Sequence, residues 1–179
     1  MRNSNPMLLT ENPMRQILIE KMKAVFGSDQ KRIDHALAVL NYAESIMAKE
    51  QAQPNIVVAA AVLHDIGILS AEQKYHSAAG IYQELEGPPI AKAILESLAF
   101  PPADINHICA IVGSHHSGGK IDTPEFRCVW DADWIVNLGD DYASWTQAQK
   151  QKIIDSQLRT HAGRRIACRL YLSKNMGKQ

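Results

Sequence analysis

Residues 56–67 read IVVAAAVLHDIG, a run apolar on nearly every side that ends in an imidazole and a carboxylate. A helix apolar all round has no face to offer to water. The segment therefore predicts a central helix wrapped by others, opened by Pro54-Asn55 and ended by Gly67. His64 and Asp65 then stand inside apolar surroundings, where polar groups cost free energy unless each has a partner. A metal ion can partner both at once.

Outward from this run, apolar positions recur every three to four residues and rarely every two, which predicts an all-α fold. PMRQILIEKMKAVF at 13–26 sets Met14, Ile17, Leu18, Met22 and Val25 on one stripe, with Pro13 in a first turn and Gly27 at the stop. Ser28 or Asp29 can cap a second helix that carries His35 and runs to about Lys49. Beyond the central run, His76 starts a helical stretch through Leu85, Gly87-Pro88-Pro89 breaks the chain, and 90–99 resumes as helix. Asp104 caps INHICAIVGSHHS, which ends at Gly118-Gly119. The period of EFRCVWDADWIVNL fits a helix or a short strand, and the helical context favours helix. Residues 146–172 form a last amphipathic helix. Without a repeat or linker, the 179 residues are read as a single domain.

Hydrophobic residues make up 46% and charged residues 21%, which excludes the composition of a disordered chain. Nineteen basic and nineteen acidic residues cancel, so neither nucleic acid nor a membrane surface is expected as a partner. No apolar run is read as long enough to span a membrane. MRNSNPMLLTENP has Pro and Asn where a secretory signal needs its apolar core, so the expected location is cytoplasmic. Cys109, Cys128 and Cys168 are odd in number and lack a CxxC pair, which indicates neither a disulfide framework nor a thiolate zinc site.

Seven histidines are present, and their settings separate them. His35 lies inside a helix, His64-Asp65 ends the central one, His76 follows, and His115-His116 precedes a glycine pair. A bundle can aim side chains at such positions into one internal pocket. Asp131 or Asp133, framed by apolar residues in VWDADWIVNL, adds a later carboxylate. Imidazole and carboxylate without thiolate suit iron or manganese, with nickel, zinc or cobalt as further possibilities. One Asp, binding through both oxygens, can bridge two ions. His107 and His161 lack such a context and are read as capping or partly exposed. Arg159, Arg164, Arg165 and Arg169 are read as a solvated stripe, and Trp130, Trp134 and Trp145 as core.

His35, then His64-Asp65, then a distant Asp in ADW resembles the HD superfamily of metal-dependent phosphohydrolases, and HDIG at 64–67 matches the name motif of one of its groups. The resemblance spans roughly residues 30–140 and implies a helical bundle with the metal centre between the helices. HSAAG at 76–80 is similar to the spaced His and Gly of the superfamily's two-metal members, the cyclic-dinucleotide phosphodiesterases and dinucleoside polyphosphate hydrolases. His115-His116 resembles the next ligand group of the former. The resemblance thus implies one ion on His35, His64, Asp65 and Asp133, and a second on Asp65, as bridge, with His76, His115 and His116. Ala132-Asp133 matches the family's AD pair, which favours Asp133; Asp131 is left as a helix cap or as the orienter of a ligand imidazole.

The chain departs from the family in two places. After HHS it reads GGKIDTPEF, without the GYP tripeptide of the cyclic-di-GMP phosphodiesterases, and Ile68-Leu69 replace the lysine that several relatives carry after HD. Lys74 or Lys120 can approach a substrate phosphate instead. Two ions about 3.5–4 Å apart activate a shared water for in-line attack. The implied reaction is hydrolysis of a phosphate mono- or diester, a nucleotide or related small molecule, with Asp65 holding the ions together. The rivals are a mixed-valence di-iron oxygenase of the same superfamily and a non-catalytic module that senses a nucleotide.

Overall fold

Among residues 13–172, which the computed structural model describes, nine helices form and no strand. They are α1 (Pro13–Phe26), α2 (Gln30–Met47), α3 (Pro54–Leu63), α4 (Ile68–Tyr75), α5 (Gly80–Ser97), α6 (Pro102–Val112), α7 (Pro124–Gly139), α8 (Gln147–Gln157) and α9 (His161–Tyr171). The signal-peptide reading of the first residues lies outside the described part. Every residue of α3 from Ile56 to Leu63 is at most 5% exposed, because α1, α2, α6 and α7 all pack against it. Around this axis α2 lies along α7, α5 lies along α6, and α4 packs on α5. Leu40, Ile46, Leu63, Ile111, Phe126 and Ile135 fill the space between them.

Several boundaries differ from expectation. The central helix stops at Leu63, and His64 to Gly67 form a turn into the unexpected α4. Gly67 has an ordinary φ of −81°; its role is close approach. A Cβ there would stand 2.5 Å from the Gly87 nitrogen and 2.6 Å from the Gln83 carbonyl oxygen, so only glycine lets the turn touch α5. His76 ends α4 instead of opening a helix: its φ is 52°, and its N–H donates to the Glu72 carbonyl in a left-handed cap.

Gly87-Pro88-Pro89 does not break the chain. α5 runs through it, forfeiting the backbone bonds that the two proline nitrogens cannot make, while α6 supports it along its length. α6 in turn begins at Pro102, with Asp104 in its first turn and not at its cap, and ends before the histidine pair. Residues 146–172 are two helices, because Leu158 is extended and Thr160 caps a fresh start, its Oγ1 accepting from Gly163 N at 2.8 Å. The segment Pro54–Tyr75 is, contrary to expectation, long and apolar enough by length and composition to cross a membrane. Of its most apolar window, 67% is buried inside the bundle, as a core helix requires.

Candidate metal centre

Each site imidazole is placed by the end or the face of a helix. α3 ends at Leu63, so the Ala61 carbonyl is among those left without a helical partner, and it accepts from His64 Nδ1 at 2.8 Å. α6 repeats the device one helix later: the Val112 carbonyl accepts from His115 Nδ1 at 2.7 Å. Because a carbonyl can only accept, both rings carry their proton on Nδ1 in these bonds and turn Nε2 inward. His35 arrives from the middle of α2 and Asp133 from α7, where Asn137, one turn on, donates to Asp133 Oδ1 at 3.0 Å.

These groups converge on Asp65. Its Oδ2 lies 3.4 Å from His64 Nε2 and 3.6 Å from His35 Nε2, while its Oδ1 lies 3.1 Å from His115 Nε2 and 4.0 Å from His116 Nε2. Asp133 Oδ1 closes the first group, 3.1 Å from His35 Nε2 and 3.7 Å from His64 Nε2. Donor atoms about 2.0–2.2 Å from one ion stand about 2.8–3.6 Å from their neighbours in octahedral or tetrahedral arrays. His35, His64 and Asp65 form one such set, and Asp65, His115 and His116 a second, with the donor atoms of each set within 4.8 Å of one another. The residues present therefore fit two ions sharing one carboxylate.

The charges of the centre depend on one another. Burial alone would push the His64 imidazole down, but the charge and hydrogen bond of Asp65, with help from Asp133 and the Ala61 carbonyl, carry it up to about 9. Burial likewise opposes ionisation of Asp65, yet the His64 charge and the His115 and His64 hydrogen bonds hold its carboxyl well below the usual range. Asp133 follows: burial raises it, and the His35 hydrogen bond and the His64 charge bring it down. Burial and the neighbouring His115 lower His116 to about 4, which leaves a neutral ring suited to ligation. The pocket holds two carboxylates that stay ionised and that draw positive charge to themselves.

Three residues singled out in the sequence are absent from the centre. His76 is exposed at the end of α4 and belongs to neither donor set. Lys74 is paired with Glu86, which also accepts from Ser70 Oγ at 2.8 Å and Tyr75 Oη at 3.0 Å, so it clasps α4 to α5 and does not face the cavity. Lys120 is exposed and outside the cavity wall. The cavity, about 310 Å³, instead has Lys31 and Arg32 at its edge. Arg32 is tied to Asp29 at 2.9 Å and Glu72 at 2.6 Å, whereas Lys31 forms no ion pair among the described residues. Both lie three to four positions before His35 on α2, a helical spacing that marks them in the sequence once His35 is known to face inward. Asn137 is similarly legible, four residues after Asp133.

The remaining sequence readings are accounted for by packing. Asp131 is fully buried inside α7 and accepts from Arg159 N at 2.7 Å, Thr160 N at 2.8 Å and Thr160 Oγ1 at 2.7 Å, so it neither caps its own helix nor orients an imidazole but holds the residues that lead into α9, and Asp133 is the acid at the cavity. Arg159 is not a freely solvated member of a stripe: its guanidinium lies 4.5 Å from the Trp130 ring centre and 4.9 Å from that of Phe126. The three cysteines are free.

An all-helical bundle enclosing a histidine–aspartate centre defines a metal-binding class of protein. The chain belongs to the HD domain family, whose model matches residues 32–138. Among solved structures, that of a predicted HD superfamily hydrolase from an uncultured Thermotogales bacterium superposes with a TM-score of 0.67 at 18% identity, covering 90% of this chain and 87% of that one. This likeness is one of fold. No curated protein matches the chain.

Proposed function

We propose that the chain is a single-domain metal-dependent phosphohydrolase that cleaves a phosphate mono- or diester of a small molecule, with a nucleotide as the leading substrate class. Membership of the HD domain family supports a metal-dependent hydrolase in general terms. The observation that carries the finer reading is the division of Asp65, one oxygen toward His35 and His64 and the other toward His115 and His116. Two divalent ions, iron or manganese, held by these sets would supply an acidified water and neutralise charge on a phosphoryl group.

The chain's own residues prepare that chemistry. The Ala61 and Val112 carbonyls fix the rings of His64 and His115, and Asn137 fixes Asp133, so the donor atoms need little reorganisation. Lys31, unpaired among the described residues while Arg32 is held by Asp29 and Glu72, is the cation on this wall free to meet a phosphate, against the acids Asp29, Asp140 and Asp141 beside it. Ile68 gives the same wall an apolar portion against which a nucleoside or another organic group can rest.

The test is ester hydrolysis by the full chain reconstituted with manganese or ferrous iron, using p-nitrophenyl phosphate, its bis diester and a nucleotide panel. Release of product should run at the same rate under nitrogen as in air. Asp65→Ala should lower it at least about a hundredfold, about 2.7 kcal/mol of barrier. Lys31→Ala should raise KM more than it lowers kcat. Intact esters at full metal occupancy, together with dioxygen consumption on an organic substrate, would replace this reading with the oxygenase.

A further inference from the structure

Gln83 carries no signal in the sequence, yet it is the polar side chain whose position in the structure is least explained by its neighbours. It lies on α5, only 5% exposed, in the wall of the cavity that Asp65 and His116 also line. Its Nε2 donates to the Ala78 carbonyl at 2.7 Å, which fixes the amide, since turning it over would press Oε1 against another acceptor. In that orientation Oε1 is buried without a hydrogen-bond partner, the one side-chain nitrogen or oxygen so left among the described residues. Such an atom costs about 1–3 kcal/mol. A cost of that size is met when a donor or a cation comes from the cavity side.

α5 is held against the centre on both sides of Gln83. Toward its start, a Cβ on Gly80 would stand 2.7 Å from the His116 ring, so the helix rests directly on that imidazole. At Gln83 itself the backbone oxygen lies in the close approach to Gly67, two residues after Asp65. The next residue, Glu84, accepts from His116 N at 2.9 Å and from Ser117 N at 2.7 Å, which locks the register of α5 to the histidine turn. Gln83 is therefore carried by the same contacts that place the second donor set.

We propose that Gln83 Oε1 is an oxygen ligand of the second ion, completing the set Asp65, His115 and His116 in the place that the family resemblance gives to His76. The proposal rests on the two-ion reading above. An amide carbonyl brings no charge, so the second set has one shared carboxylate where the first has two carboxylates to draw on. The second ion is held more weakly and fills after the first, and a set with two oxygens and two imidazoles favours manganese or ferrous iron over thiolate-seeking metals.

Manganese titration of the metal-free full chain, followed by calorimetry and by the exchange-coupled electron paramagnetic resonance of an ion pair, decides the matter. Wild type should bind two ions in sequence. Gln83→Leu should keep the first affinity, weaken the second at least about tenfold and lose the coupled signal, whereas Gln83→Glu should tighten the second ion. His76→Ala should match wild type throughout. A Gln83→Leu protein that fills both sites as wild type does, or a His76→Ala protein that loses the second ion, overturns the assignment while leaving the two-ion reading in place. Wild type that binds a single ion removes that reading, and the assignment with it, before any variant is compared. Should Gln83→Leu fail to fold, unchanged second-ion affinity in Gln83→Glu overturns the assignment by itself.

Discussion

Asp131 and Asp133 stand two residues apart on α7, about 200° around the helix, so no rotation of the helix presents both to one cavity. The sequence offers both carboxylates in equally apolar surroundings, with the family resemblance favouring Asp133, and their partners separate them. Asp131 satisfies its oxygens on Arg159 and Thr160, and burial still pushes its carboxyl up against the pull of those donors. Asp133 satisfies one oxygen on His35 and Asn137 and faces the centre. Asp131→Asn should therefore lower the unfolding free energy of the metal-free chain by about 1–3 kcal/mol, because an amide nitrogen is then turned toward donors, and should leave metal content intact. Asp133→Asn should do the reverse, keeping the fold and losing the first ion. Denaturant melts paired with elemental analysis read both, and exchanged phenotypes would exchange the two roles. At this scale the histidines and Asp65 were legible because chemistry of that kind is costly inside an apolar run. His76 misled because a spaced His-x-x-x-Gly pattern says nothing about whether its backbone ends one helix or opens the next.

Among the elements, the long periodic segments were legible and their junctions were not. α1 and α2 follow from stripes and stops, with Asp29 accepting from Arg32 N as such a cap should, whereas the period of α7 fits helix or strand and its helical context decides it; its cap, Thr123 accepting from Phe126 N, is seen only in the structure. The junctions depend on contacts between segments distant in sequence. α5 passes through two prolines because α6 supports it, and α8 and α9 divide because Asp131, on another helix, binds the backbone of Arg159 and Thr160. Gly67 belongs to the same class. Gly67→Ala should force α4 and α5 apart and cost about 1–3 kcal/mol in the unfolding free energy, the usual penalty of overpacking. Wild-type stability in that variant would mean that the two segments do not meet there. The clasp at Glu86 adds a dependence on pH. Hydrogen bonds from Lys74 and Ser70 hold its carboxyl below the ordinary glutamate value of about 4.3, so the folded chain binds its proton less readily than the unfolded chain does. Its contribution is present above about that value and is lost as pH falls through the lowered one. Glu86→Gln should accordingly be less stable than wild type at pH 6, with the gap narrowing toward pH 3.5 in urea titrations; a gap that widens in acid would remove Glu86 from this role.

Across the whole molecule, the residues of the two candidate donor sets come from different layers. His35, His64 and Asp133 belong to α2, the end of α3 and α7, which pack on one another, while His115 and His116 leave the end of α6, steadied by α5. The all-helical architecture and the central position of the HD turn were readable from period and composition. The cavity wall was readable only in part: Lys31 and Asn137 follow from their spacing to His35 and Asp133 once those are known to face inward, whereas Gln83, on a third helix, meets them only after packing. Asp65 alone stands in both layers, in the turn that joins α3 to α4. An insertion or deletion at the exit of α6 would displace His115 and His116 and leave the packing of α2, α3 and α7, and the first donor set with it, in place. A change confined to the α5–α6 layer would thus alter one donor set and spare the other, with Asp65 the residue that both require.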